Sequence, residues 1–214
     1  MVLLTVGFVV VAIVPRYLSV RDRYGTLLEA SNKAKEISGA LRLFRKEYGS
    51  FPNQRTREVF LEKGHRNLMK EDHANAYLAQ LIVGGFLQTE ATFFVPEIQG
   101  VEKGDEQITA GSLLAAGENA FSYVMLDQGK SLGDGTSLMP LVMTPVTQGG
   151  ITPLFDPAPF GGKYVYGSVG GAAIQGDIDE DGLPMSMGRA HLFEAGRDSL
   201  FGTDIPVVKM PLLK

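Results

Sequence analysis

The first fourteen residues, Met1–Val14, carry no charge, and Pro15 follows them. From Tyr24 the pattern changes. Apolar residues fall at Tyr24, Leu27, Leu28, Ala34, Ile37, Leu41, Phe44 and Tyr48, while Arg23, Glu29, Lys33, Glu36, Arg42 and Lys46 occupy the other faces. Such spacing predicts an amphipathic helix, with Leu27, Ala34, Ile37, Leu41 and Phe44 buried against the rest of the protein. Gly49 and Pro52 end it, the first as a left-handed cap and the second as a block to continuation. The helix is expected to be continuous from Arg16 to Tyr48, with any kink between Pro15 and Gly25. If residues 1–48 are helical throughout, the rod is about 70 Å long.

Further on, Thr56–Gly64 and Asp72–Val83 read as short helices. Asp72 is the expected N-cap of the second, whose apolar stripe is Ala74, Tyr77, Leu78, Leu81 and Ile82, and Gly84-Gly85 ends it. Of the 26 glycines, 21 lie after position 83, as do nine of the eleven prolines, so the second half reads as short strands joined by turns. The strand candidates are Phe121–Leu126, Leu138–Thr144, Lys163–Val169, Ala190–Phe193 and Ile205–Met210. Helices first and strands later predict an α+β fold. Residues 1–23 form the hydrophobic segment, and 24–214 a globular domain that includes the amphipathic half of the helix.

Composition narrows the function classes. Apolar residues make up 44% of the 214, enough for a core. Net charge is −4, and no basic tract with interleaved aromatics points to nucleic acid. The absence of cysteine excludes disulfides, thiolate metal sites and cysteine nucleophiles. Residues 1–47 hold eight Lys/Arg and four Asp/Glu, so the acidic surplus lies in the remainder. The opening run has three readings. It is short for a membrane-spanning helix unless Leu18 and Val20 extend it. It lacks the basic n-region and cleavage site of a secretory signal. As a buried helix of a soluble domain, it sits poorly with the long helix that follows.

Catalytic signals are few. His65, His73 and His191 are scattered and read as solvated surface residues. Gln128-Gly129-Lys130-Ser131 lacks the leading glycine of a phosphate loop, since that position holds Val124. No Gly-x-Ser-x-Gly elbow occurs. Glu102, Asp105 and Glu106 read as a solvated acidic loop. One motif carries metal chemistry: Asp177, Asp179 and Asp181, followed by Gly182, have the alternation of a calcium loop. Its twelfth-position glutamate would fall at Gly188, so this is no EF-hand, and other ligands would have to complete a Ca²⁺ site. An acidic surface turn is the competing reading. No other cofactor is expected.

The apolar run, its proline and the closing segment Leu41–Pro52, with Tyr48-Gly49-x-x-Pro52, resemble type IV pilins and the pseudopilins of type II secretion. Ala74–Phe86 with Phe93–Pro96, then Ala116–Tyr123 and Phe160–Val169, resemble the large pilin-like proteins of verrucomicrobial and planctomycete-type bacteria. The resemblance implies a hydrophobic half-helix that protrudes, and an amphipathic half packed on an antiparallel sheet. It also implies a structural, non-enzymatic subunit of a pilus or secretion filament, assembling through Leu3, Leu4, Phe8, Val11 and Pro15. Partners would be further copies or other pilin-like subunits and the assembly machinery. The location would be the bacterial inner membrane before assembly, and a periplasmic or extracellular filament afterwards. The chain departs from that family in lacking a basic leader, a cleavage glycine and an early glutamate; the nearest position holds Thr5. The departure is expected to reflect missing first residues of the mature chain, or else a divergent minor subunit that never had the glutamate. The alternative is a single-pass, membrane-anchored binding or sensor domain outside the cytoplasm.

Overall fold

The computed structural model describes residues 2–107, 113–126, 137–186, 191–194, 200–201 and 204–214, with side chains described from residue 23 onward. The fold is α+β. Helix α1, Val2–Tyr48, is a single α-helix and contains both Pro15 and Gly25. Gly49 closes it at φ 76°, its N–H bonded to the Arg45 carbonyl, as the glycine's position predicts. Helices α2 (Gln54–Glu62) and α3 (Ala74–Val83) follow, then a 3-10 turn at Glu90–Phe93. The strands are β1 (Ser122–Leu126), β2 (Pro140–Thr144), β3 (Val146–Gln148), β4 (Leu154–Phe155), β5 (Lys163–Ser168), β6 (Ala173–Asp177) and β7 (Pro206–Lys209). Five of them form an antiparallel sheet in the order β6-β5-β2-β1-β7, and β3 with β4 make a separate hairpin.

Helix α1 lies across β5, β6 and β2. Leu27, Ala34, Ile37, Leu41 and Phe44 are all buried there, as their spacing predicts. Ala30, Ser31, Ser38 and Ala40 join them, so much of the contact face is small and the helix comes close to the sheet. One close approach is at Gly167 in β5. A Cβ there would overlap Ser38 Oγ and the Ala34 carbonyl oxygen, inside the 3.0 Å that Cβ atoms essentially never breach. Two apolar residues in the helical pattern lie off this face: Tyr24 is 70% exposed and Leu28 is 60% exposed. Leu28 stands about 100° around the helix from Leu27 and so misses the sheet.

Other differences have local causes. Helix α2 starts two residues earlier than its pattern suggests, because Asn53 makes a reciprocal capping box with Thr56. His73, not Asp72, caps α3: its Nδ1 accepts the Ala76 N–H at 3.3 Å. Asp72 instead takes the Tyr77 hydroxyl and Lys209 Nζ, both at 2.6 Å, tying α3 to β7. His73 is accordingly a half-buried cap rather than a solvated residue. The strand expected at Ala190–Phe193 does not form: His191 makes an isolated bridge to Met185 and the chain then turns, while Ala190 is outside the described residues. Gln128–Ser131 and Gly188 also lie outside them.

Candidate functional site

Strand β6 runs into the acidic turn, and the aspartates there have separate roles. Asp177 pairs with Lys163 Nζ at 2.7 Å across the hairpin. Asp179 turns inward, its Oδ1 accepting the N–H groups of Asp181 (3.0 Å) and Leu183 (2.8 Å). This is the side-chain–backbone turn favoured by Asp-x-x-Gly, and Gly182 completes it at φ 82°. Its other oxygen lies 3.2 Å from His191 Nε2. Asp181 is exposed. Beside the turn is a cleft of about 420 Å³, walled by Pro153, Leu183, Pro184 and Phe193, with His191 and Glu194 among its polar groups.

Among the described residues, three carboxylates that sequence reasoning did not group do converge. One ligand oxygen from each of Glu90, Asp105 and Glu118 lies within 4.8 Å of the others. Glu90 is 1% exposed and Glu118 9%. Glu102, Asp105 and Glu106 are exposed on an irregular loop, as expected, while the backbone of that loop folds around Glu90. Leu114 N–H donates to Glu90 Oε1 and Glu106 N–H to its Oε2, both at 3.0 Å. Those two donors sit at residues with positive φ, Leu114 at 50° and Glu106 at 59°. Glu106 in turn accepts the Thr89 hydroxyl and the N–H groups of Glu90 and Ala91. Glu118 accepts from Ala115 N–H (2.6 Å) and Asp105 N–H (3.4 Å).

Electrostatics follow from this packing. Burial pushes the Glu90 carboxyl up, reinforced by the Glu118 and Asp105 charges and opposed by its backbone donors. Glu106, near the surface, is held below its ordinary value chiefly by the Thr89 hydroxyl. Three hard oxygen donors suit Ca²⁺ or Mg²⁺ rather than a softer metal, using the lone pairs that the backbone leaves free. The signal was faint in the sequence, because the three residues are scattered over loops with no period. A lone glutamate beside Ala91-Thr92-Phe93-Phe94 was its one trace.

Of the expected assembly residues, Leu3, Leu4, Phe8, Val11 and Pro15 lie on α1, and their side chains are outside the described residues. Among the described residues no helix is long and apolar enough to cross a membrane. Fold and site together define an α+β protein built on one long N-terminal helix across an antiparallel sheet. No protein-family model, no curated protein and no solved structure matches the chain.

Proposed function

We propose that the protein is a structural subunit of a type IV pilus-like or secretion filament, assembling through the apolar N-terminal part of α1. The observation that carries this reading is the length of α1 against its buried stripe. The helix runs from Val2 to Tyr48, and among its described side chains, residues 23–48, the buried ones span Thr26 to Phe44. At ~1.5 Å per residue α1 is about 70 Å long, whereas a domain of this size has a radius of gyration of roughly 16 Å. An apolar half-helix of that kind belongs in lipid or against its own copies, and burial at ~25 cal/mol per Å² supplies the association energy. The work is polymerisation, and no residue performs bond chemistry. Exposed Tyr24 and Leu28 extend an apolar surface beyond the covered face of the helix.

The test compares the full chain with one lacking residues 1–23, which keeps the whole buried stripe. After detergent removal the full chain is expected to form fibres visible by negative-stain microscopy, and the shortened chain to sediment as a monomer. Full chains that remain monomeric in detergent and merely insert into vesicles would instead identify a membrane-anchored binding domain.

A further inference from the structure

The domain is electrically polarised along α1, and its acidic end carries a cleft. Strand β6 runs antiparallel to the helix, as three contacts show. Arg42 Nη1 donates to the Gly170 carbonyl at 3.1 Å, and Gln175 Nε2 to Ser31 Oγ at 2.9 Å. Ile178 N–H bonds Gly162, whose neighbour Gly161 faces Arg23. The acidic turn therefore sits where the packed part of α1 begins. Residues 177–194 hold five Asp/Glu and one Arg. Lys163 answers Asp177, and Asp179, Glu180, Asp181 and Glu194 then stand against Arg23 and the segment's own Arg189, a surplus of two carboxylates.

The other end is basic. Helix α2 stacks against the end of α1, with the Phe60 ring 5.2 Å from Tyr48 and Lys63 Nζ 5.8 Å above the Tyr48 ring. Residues 42–70 carry eight Lys/Arg against three Glu. Arg55, Lys63, Arg66 and Lys70 are exposed, and no described carboxylate pairs with them. Along α1, Arg23 and Tyr48 are separated by roughly 37 Å.

We infer that the cleft beside the acidic turn seats lysine or arginine side chains from the α2 end of a second copy of this chain. This rests on the filament reading, and names the contact between the globular domains within it. The chemistry of the cleft fits that occupant. Apolar walls of Pro153, Leu183 and Pro184 take an aliphatic stem, Phe193 offers an aromatic ring, and Glu194 with the neighbouring turn carboxylates meets the cationic head. Because the two surfaces differ and lie at opposite ends, the contact is heterologous and leaves each copy a free surface for the next, the kind of contact that can propagate along a filament.

The test is charge reversal in the full chain, with self-association in detergent measured by sedimentation. Lys63→Glu with Arg66→Glu alters one surface, and Glu180→Lys with Glu194→Lys the other. All four positions are exposed, and near-UV circular dichroism checks the fold of each variant. Wild-type association is expected to weaken in ~1 M salt, where the Debye length is roughly 3 Å. Each pair should weaken it at low salt by about tenfold or more, and the four changes together should restore it to within about threefold. Association that ignores either pair, a fourfold variant no better than the pairs, or a wild type that does not associate would overturn the inference. Fibres that form normally despite the reversals would sink this contact but leave the filament reading intact. Charge-dependent association without fibres would do the opposite.

Discussion

Gly167→Ala is the sharpest perturbation of the helix–sheet contact. The new methyl group would meet Ser38 Oγ, the Ala34 carbonyl oxygen and Val142 Cγ2, the last at 3.1 Å. Ser38 can rotate its hydroxyl away, since that oxygen has no hydrogen-bond partner to lose. The Ala34 carbonyl cannot yield without carrying α1 with it, because it belongs to the helix backbone. Overpacking in a tight core costs about 1–3 kcal/mol, and a clash with backbone belongs at the upper end. For a domain of this size ~3 kcal/mol lowers Tm by roughly 6–12 °C. Gly39, one residue from Ser38, has nothing within 4 Å of its would-be Cβ. Gly39→Ala is therefore the control, and should stabilise by about 0.5–1 kcal/mol through helix propensity. Ser38→Ala should rescue Gly167→Ala only in part. Thermal unfolding by circular dichroism reads all three. A Gly167→Ala protein that melts with the wild type, or complete rescue by Ser38→Ala, would refute the claim that α1 backbone rests on β5.

Burial holds the His73 imidazole below its ordinary value of 6.5, outweighing the pull of Glu71 and Asp72. The unfolded chain thus takes up the proton first, so stability should be full above about pH 6.5 and fall as pH drops below it. His73→Asn, which keeps a cap without titrating, should flatten that part of the Tm–pH curve. Glu90→Gln should lower stability by about 1–3 kcal/mol in urea titrations, because one amide hydrogen would face the Leu114 or Glu106 N–H in place of an acceptor. Asp179→Ala should lower Tm even in excess chelator, since it strips the acceptor from two backbone N–H groups. An effect seen only with Ca²⁺ present would reassign the turn to metal binding.

Apolar periodicity made α1 and α3 legible, whereas the strands β1, β2, β5 and β7 were legible from composition; β1, β2 and β5 are buried almost throughout and show no alternation. Strand β6 left no such trace: Ala-Ile-Gln-Gly-Asp has one β-branched residue and sits at the sheet edge, partly exposed. The hairpin of β3 and β4 is too short for any period, with strands of three and two residues. Gly167 reads in sequence as a flaw in a good strand, and its purpose emerges only once α1 lies over it. The Glu90 group was hidden for a similar reason, because its oxygens are gathered by loop backbone whose geometry no spacing rule encodes. In the acidic turn the residue types were legible but not their division of labour. The partners that separate Asp177 from Asp179 are Lys163 and the backbone N–H groups of Asp181 and Leu183.

Because the chain has no cysteine, one introduced at Val11 reports directly on assembly through the N-terminal part of α1. Full-length Val11→Cys, assembled after detergent removal and mildly oxidised, is expected to give disulfide-linked dimers. Glu58→Cys on exposed α2, away from the apolar run, should give far fewer. Equal cross-linking at the two positions, or none at Val11 in material that has assembled, would contradict assembly through the N-terminal helix.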